Sequence, residues 1–203
     1  MKLYYSPGAC SLSPHIALIE AGLPFEAIKA DLSTKKADDG NDLMRLTGKG
    51  QVPVLVLDDG TVLSEGPAVV QWIADQVPEK NLAPRWGTPE RYQLISLLNF
   101  LTSDIHKTFG PLFSQDFSEE VKDKFRALLG KKFDWLVQRL GDQSFLLSDQ
   151  FTVADAYLFT MLGWTKHVGI DLSKWPKLVE YQARIGARPS VRTALQAEHG
   201  RAH

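Results

Sequence analysis

The sequence predicts an α/β unit over residues 1–80 and an all-α domain over 88–203, joined by a linker at 81–87. Three observations carry this division. β-prone runs alternate with helical patterns as far as Val77, whereas beyond it apolar residues recur only at helical spacing. The stretch Val77-Pro78-Glu79-Lys80-Asn81-Leu82-Ala83-Pro84 carries two prolines and little periodicity. A chain of 203 residues suits one large domain or two small ones.

The elements of the first unit follow from local signals. Leu3-Tyr4-Tyr5 is a short β-prone run ended by the turn pair Pro7-Gly8. A helix comes next. Ser11 and Ser13 are both candidate N-caps, Pro14 suits a first helical position, and Gly22 suits the stop. Phe25 to Leu32 is a second mixed apolar stretch, and Lys35 to Leu46 is polar, a loop with a short helix. Val52 to Leu57 is the strongest strand. Asp58-Asp59-Gly60-Thr61 is a hairpin turn, and Val62-Leu63 pairs back. Ser64-Glu65-Gly66-Pro67 opens a helix running to about Val77. In this order, strands joined through helices are parallel, and the hairpin adds an antiparallel edge.

The second domain carries no strand signal. Leu94, Leu98, Leu101 and Ile105 mark one amphipathic helix, and the apolar positions from Val121 to Leu140 mark another. Thr152-Val153-Ala154-Asp155 is a capping box opening a very apolar helix through Trp164. Trp175-Pro176 opens a fourth helix and Arg188-Pro189 a shorter fifth. The tail after Ala197 is expected to fray.

Composition excludes several functions. Lys+Arg 23 against Asp+Glu 24 leaves a net charge of −1, without the basic excess that phosphate neutralisation needs, so nucleic acid is not expected as a partner. No apolar run approaches the roughly 18 residues that span a bilayer, so no membrane role is expected. The first residues turn too early to hold a signal-peptide core, and a cytoplasmic location is expected. Cys10 is the single cysteine, which excludes an intrachain disulfide and a Cys-rich metal site.

Four places could carry chemistry, each with two readings. Cys10 stands just before a helix start, where amide donors and the macrodipole favour thiolate and a pKa below about 8.5; the alternative is a small buried hydrophobe. Val52-Pro53 begins the strongest strand. A cis bond there would free Val52 backbone groups for a peptide-like ligand; otherwise Pro53 simply initiates the strand. Glu65 and Gly66 at a helix start could grip the ammonium and carboxylate of an amino-acid zwitterion, or Glu65 could serve only the macrodipole. Asn99, Ser103 and His106 form a polar stripe flanked by Asp104 and Lys107, either a site or a solvated face. His15 reads as a packed core histidine, and His167, His199 and His203 lack metal-ligand spacing.

Five runs occur in order: Tyr4-Tyr5-Ser6-Pro7-Gly8-Ala9-Cys10-Ser11-Leu12-Ser13, Lys49-Gly50-Gln51-Val52-Pro53, Glu65-Gly66, Asn99-Phe100 with His106-Lys107, and Phe151 to Phe159. Together they resemble the cytosolic glutathione transferases, most closely the bacterial beta class, from residue 1 to about residue 197. The resemblance implies a thioredoxin-like N-terminal domain that binds glutathione and a helical domain that carries the electrophile side. It assigns the catalytic roles to Cys10, which would face the glutathione sulfur, and to His106. It implies that Val52, beside a cis Pro53 and next to Gln51, holds the cysteinyl backbone. Glu65 and Gly66 would hold the γ-glutamyl end, and Lys35 would approach the glycyl carboxylate. Asn99, Ser103 and Lys107 would line the cleft, and Asp104 would reach the partner subunit's glutathione in a homodimer. Phe109, Phe113 and Trp164 are candidates for an apolar electrophile cleft, although Trp164 suits a core better. The activity implied is conjugation of the glutathione thiolate to electrophilic, often hydrophobic, compounds, as in detoxification, with no metal. Two alternatives stand beside it: glutathione-dependent disulfide or peroxide reduction through Cys10, and a non-enzymatic ligand-binding or assembly module on the same fold.

Overall fold

The computed structural model describes residues 1–199. Its elements in chain order are β1 (Lys2–Tyr5), α1 (Leu12–Ala21), β2 (Glu26–Asp31), β3 (Lys36–Ala37), α2 (Leu43–Thr47), β4 (Val54–Val56), β5 (Val62–Ser64) and α3 (Gly66–Asp75). Then come α4 (Pro89–Phe100), a π-helical turn over Leu101–His106, α5 (Lys107–Phe113), α6 (Glu119–Leu140), α7 (Val153–Leu162), α8 (Pro176–Gly186) and α9 (Pro189–His199). The chain divides into two compact units, Met1–Ala83 together with the chain from Ala187, and Pro84–Gly186.

The first unit is a five-stranded sheet in the order β3-β2-β1-β4-β5. β1 is parallel to β2, as a helical crossover through α1 requires. β4 runs antiparallel to β1, contrary to the all-parallel expectation for strands joined through helices. The reason lies in the connection. Between β2 and β4 the chain makes only the two-residue β3, antiparallel to β2, and the five-residue α2. No helix long enough to carry it back along the sheet is present. The Asp58–Thr61 turn pairs β4 with β5 as an antiparallel hairpin. Tyr4, Ile28, Ala30, Leu43 and Val54 form the buried cluster on one side of the sheet.

Gly22 ends α1 with φ 70°, the left-handed conformation that glycine adopts without a Cβ penalty. The start of α1 differs from the sequence reading. Ser11 occupies the N-cap but makes no side-chain cap; its Oγ accepts from the Ser6 N–H at 3.1 Å and donates to the Ser6 carbonyl at 3.3 Å. That pair of bonds closes the turn leading into Cys10.

Eight of the ten α1 residues are buried, including Ser13 and His15. The cause is α9. This helix, placed by the sequence in the second domain, packs on α1 within the first unit. Val191 and Ala194 are fully buried there, and Arg188 and Ser190 both bond the Glu20 carboxylate. The tail expected to fray after Ala197 continues as helix to His199, with Glu198 buried; residues 200–203 and the candidate His203 lie outside those described.

In the second unit α7 is buried along all ten residues and packs against α4, α8 and the π turn. Asp155 anchors its start. The fully buried carboxylate accepts from the Thr152 N–H at 2.8 Å, the Thr152 hydroxyl at 3.0 Å, the Leu146 N–H at 2.9 Å and the Tyr181 hydroxyl at 2.8 Å. The continuous helix expected through Leu94 and Ile105 is interrupted by the π turn. There the Thr102, Ser103 and Thr108 hydroxyls bond the carbonyls of Leu98, Asn99 and Asp104, back-bonds that distort a helix.

Candidate functional site

On the first unit, β1 leads through a tight turn to Cys10. Gly8 supplies its positive φ of 74°, and Ala9 donates to the Ser6 carbonyl. The half-buried Cys10 Sγ lies 3.3 Å from the Val52 carbonyl and donates to it. The Val52-Pro53 bond is cis. Val52 itself is buried, Gln51 is exposed, and β4 starts only after Pro53 because proline has no N–H for the ladder.

Electrostatics at Cys10 overturn the expectation of a depressed pKa. Burial pushes the thiol up to about 11. The Cys10 and Ser11 N–H groups do favour the thiolate, as a helix start should, but Glu65 and Glu198 oppose them. Glu198 was not legible in the sequence as a member of this region. Its carboxylate accepts from the Gly8 N–H at 3.2 Å and lies 3.0 Å from His15 Nδ1. His15 is therefore a core histidine, with its ring 5.5 Å from both Tyr5 and Phe25.

Glu65 stands immediately before α3 with φ 70° and ψ 114°, a costly conformation for a residue with a Cβ. It makes no side-chain cap. The carboxylate accepts from Lys49 Nζ at 2.5 Å, a partner missed at the level of sequence although both lie in the recognised runs. Gly66 opens the helix and brings its first N–H; Pro67 has none, and the Ala68 N–H donates to the Glu65 carbonyl at 3.0 Å. Lys35 also has a positive φ, 62°, and its aliphatic stem lies over Gly50. A Cβ on Gly50 would stand 2.7 Å from Met44 Sδ and 3.0 Å from Lys35 Cδ, ends of flexible side chains, and it is the φ of 61° that favours glycine here.

On the second unit the polar stripe resolves into two clusters. Asn99, Ser103 and Lys107 are exposed. Asp104, which the resemblance directs to a partner subunit, has partners in its own: it accepts from Lys132 Nζ at 2.6 Å and from the Ser103 hydroxyl at 2.9 Å. These bonds hold its carboxyl below the usual range, the Lys132 ammonium contributing most. His106 is half-buried at the end of the π turn. Its Nδ1 lies 2.7 Å from the Tyr157 hydroxyl, and its ring centroid is 4.9 Å from that of Trp164. Burial lowers its pKa below 6.5, and Lys107 adds to the effect. Phe109, a candidate for the electrophile cleft, is fully buried, and Trp164 is 8% exposed; both are core. Phe113, 51% exposed, rests edge-on against Trp164.

Comparison with known proteins gives these features a common setting. Residues 8–76 match the glutathione S-transferase N-terminal domain and residues 119–184 its C-terminal domain. The chain is 43% identical to the glutathione S-transferase GstA of Escherichia coli over 198 residues, covering 98% of each chain. It is similar in structure to a bacterial beta-class glutathione S-transferase of Sphingomonas chungbukensis, with TM-score 0.94 and 50% identity over 98% of this chain and 99% of that one. It is likewise similar to a sphingomonad glutathione S-transferase complexed with glutathione, with TM-score 0.95 and 45% identity over 98% of both chains. Both matched domains, in order and at near-complete coverage of these relatives, place the chain in the glutathione S-transferase family.

Proposed function

We propose that the protein binds glutathione on its first unit and presents the thiolate to a small electrophile, forming a thioether. The observation that carries this reading is the Cys10 thiol on the Val52 carbonyl, close enough to Glu65 for that carboxylate to raise the thiol's pKa. Glutathione has one feature for each group there. Its γ-glutamyl zwitterion suits the Glu65 carboxylate and the Gly66 N–H that opens α3. Its cysteinyl amide suits the Val52 backbone beside Gln51 and Pro53, and its glycyl carboxylate suits Lys35. The sulfur then falls to Cys10.

The raised pKa of Cys10 supports a donor role for it. Two thiolates cannot share one place, since like charges raise each other's pKa. Cys10 stays protonated at neutral pH and turns its S–H from the Val52 carbonyl to the glutathione sulfur as a donor. The reaction asks little more of the protein: a higher thiolate fraction and a positioned nucleophile. Disulfide exchange through a Cys10 thiolate is the weaker reading for the same reason. His106 is assigned to the reacting atoms, and Asn99, Ser103 and Lys107 to the electrophile side with Phe113. The family relation supports a cytoplasmic homodimer, although Asp104 has partners in its own subunit.

A panel of an aryl halide, hydroxyethyl disulfide and cumene hydroperoxide, run with and without glutathione, tests the reading. Glutathione-dependent thioether formation from the aryl halide is expected. Turnover of the disulfide alone makes the protein an oxidoreductase, and no turnover with no retention on immobilised glutathione makes it a non-enzymatic module.

A further inference from the structure

We infer that Tyr157 fixes the tautomer of His106, so that the imidazole offers an Nε2–H donor, and no free basic nitrogen, to the reacting atoms. The inference rests on the assignment of His106 to the reaction and goes beyond it, because it decides what the histidine can do there.

Tyr157 lies in α7 and is 2% exposed. Its hydroxyl is 2.7 Å from His106 Nδ1, a hydrogen bond between a buried phenol and a half-buried imidazole. The two rings stand nearly perpendicular at 80°, and Trp164 meets the imidazole at 4.9 Å. The ring is thus held by packing as well as by its hydrogen bond. A neutral imidazole and a phenol can share that bond in two senses. A phenol O–H titrates near 10 and is a far stronger acid than a neutral imidazole N–H, while imidazole nitrogen is the better base. The hydroxyl therefore donates and Nδ1 accepts. The single ring proton then resides on Nε2, because the bond made by one nitrogen sets the state of the other. Burial, and after it the adjacent Lys107, lower the pKa of the ring and so favour its neutral form, in which this hydrogen bond selects the tautomer.

The consequence is chemical. An Nε2–H donor stabilises negative charge on a thiolate or a departing anion. It cannot take the proton from glutathione. Tyr157 acts through His106 and is a positioning residue.

The test is imidazole 15N NMR on the full chain, with glutathione bound, alongside kinetics of Tyr157→Phe. The wild type is expected to show an unprotonated Nδ1 and a protonated Nε2 at pH 7. The opposite tautomer overturns the proposal, and this measurement needs no variant. In Tyr157→Phe the two nitrogen signals should move toward an average, with kcat down roughly two- to tenfold, the scale of one hydrogen bond, and the KM for glutathione unchanged. A variant that keeps a single tautomer and full kcat also overturns it. His106→Ala separates the two failures. If it leaves kcat unchanged, the site assignment falls and takes the catalytic claim with it. If it lowers kcat while Tyr157→Phe does not, the assignment stands and the proposal alone falls.

Discussion

Alkylation of Cys10 probes the site with one unambiguous label, since the chain has no other cysteine. The thiol is raised to about 11 by burial and by two carboxylates. At pH 7 the thiolate fraction is then about 1 in 10⁴, against about 3 in 100 for a thiol at the ordinary 8.5. Part of that roughly 300-fold deficit returns, because a more basic thiolate is more nucleophilic; a Brønsted slope of about 0.4–0.5 restores on the order of tenfold. Iodoacetamide should therefore modify Cys10 about 25-fold more slowly than free cysteine at pH 7, and slower still for its partial burial. The rate should climb nearly tenfold per pH unit past pH 9, where free cysteine levels off. The same shift links to stability. The folded protein keeps a proton that the unfolded chain releases above about 8.5, so stability falls as pH rises from there toward 11. Stopped alkylation read by intact mass across pH gives the titration directly. A midpoint at or below 8.5, or reaction at pH 7 as fast as free cysteine, refutes the reasoning that burial outweighs the helix-start amides.

Four further substitutions act through contacts already described. Asp155→Ala orphans four buried donors and should cost about 3–5 kcal/mol, a fall in Tm of roughly 6–20 °C for a chain of this size; a loss under about 1 kcal/mol would show those donors finding other partners. Glu198→Ala removes the acceptor of the Gly8 N–H and the buried partner of His15 Nδ1 together, costing about 1–3 kcal/mol by thermal or urea unfolding. In calorimetry Glu65→Gln should weaken glutathione binding by about 1.5–3 kcal/mol. Lys49→Met should instead strengthen it by up to about 1 kcal/mol, the scale of an exposed ion pair that the ligand ammonium must displace. Equal affinity in both variants would remove the γ-glutamyl assignment.

What the sequence made legible was local. The Asp58–Thr61 turn, the Gly22 stop and the Thr152/Asp155 start depend on neighbours within a few positions, and each stands where its pattern indicates. The Cys10, Val52 and Glu65 runs were recognisable as motifs, but their electrostatics were not. Whether a thiol at a helix start titrates low depends on burial and on Glu198, 188 positions away, and no spacing rule reports either. α9 was misplaced for a related reason: its partner is α1, and the Glu20, His15 and Gly8 contacts that hold it are long-range. The Asp104 partner Lys132 lies on a different helix, a pairing that no local spacing reports. The π turn escaped notice because Leu94, Leu98, Leu101 and Ile105 remain buried through it, leaving the apolar pattern of an ordinary helix.

The most direct test of the central claim is the titration of glutathione on the protein. In Cys10→Ala the only thiol in the complex is the ligand's own, so thiolate absorbance against pH reports its pKa without interference. The account predicts saturable binding, a thiol pKa below the free value of about 8.5, and surviving conjugation of an aryl halide, with the pKa lower still when Cys10 is present to donate its S–H. A bound thiol that titrates at or above the free value, or a Cys10→Ala variant with no conjugation at all, would contradict it.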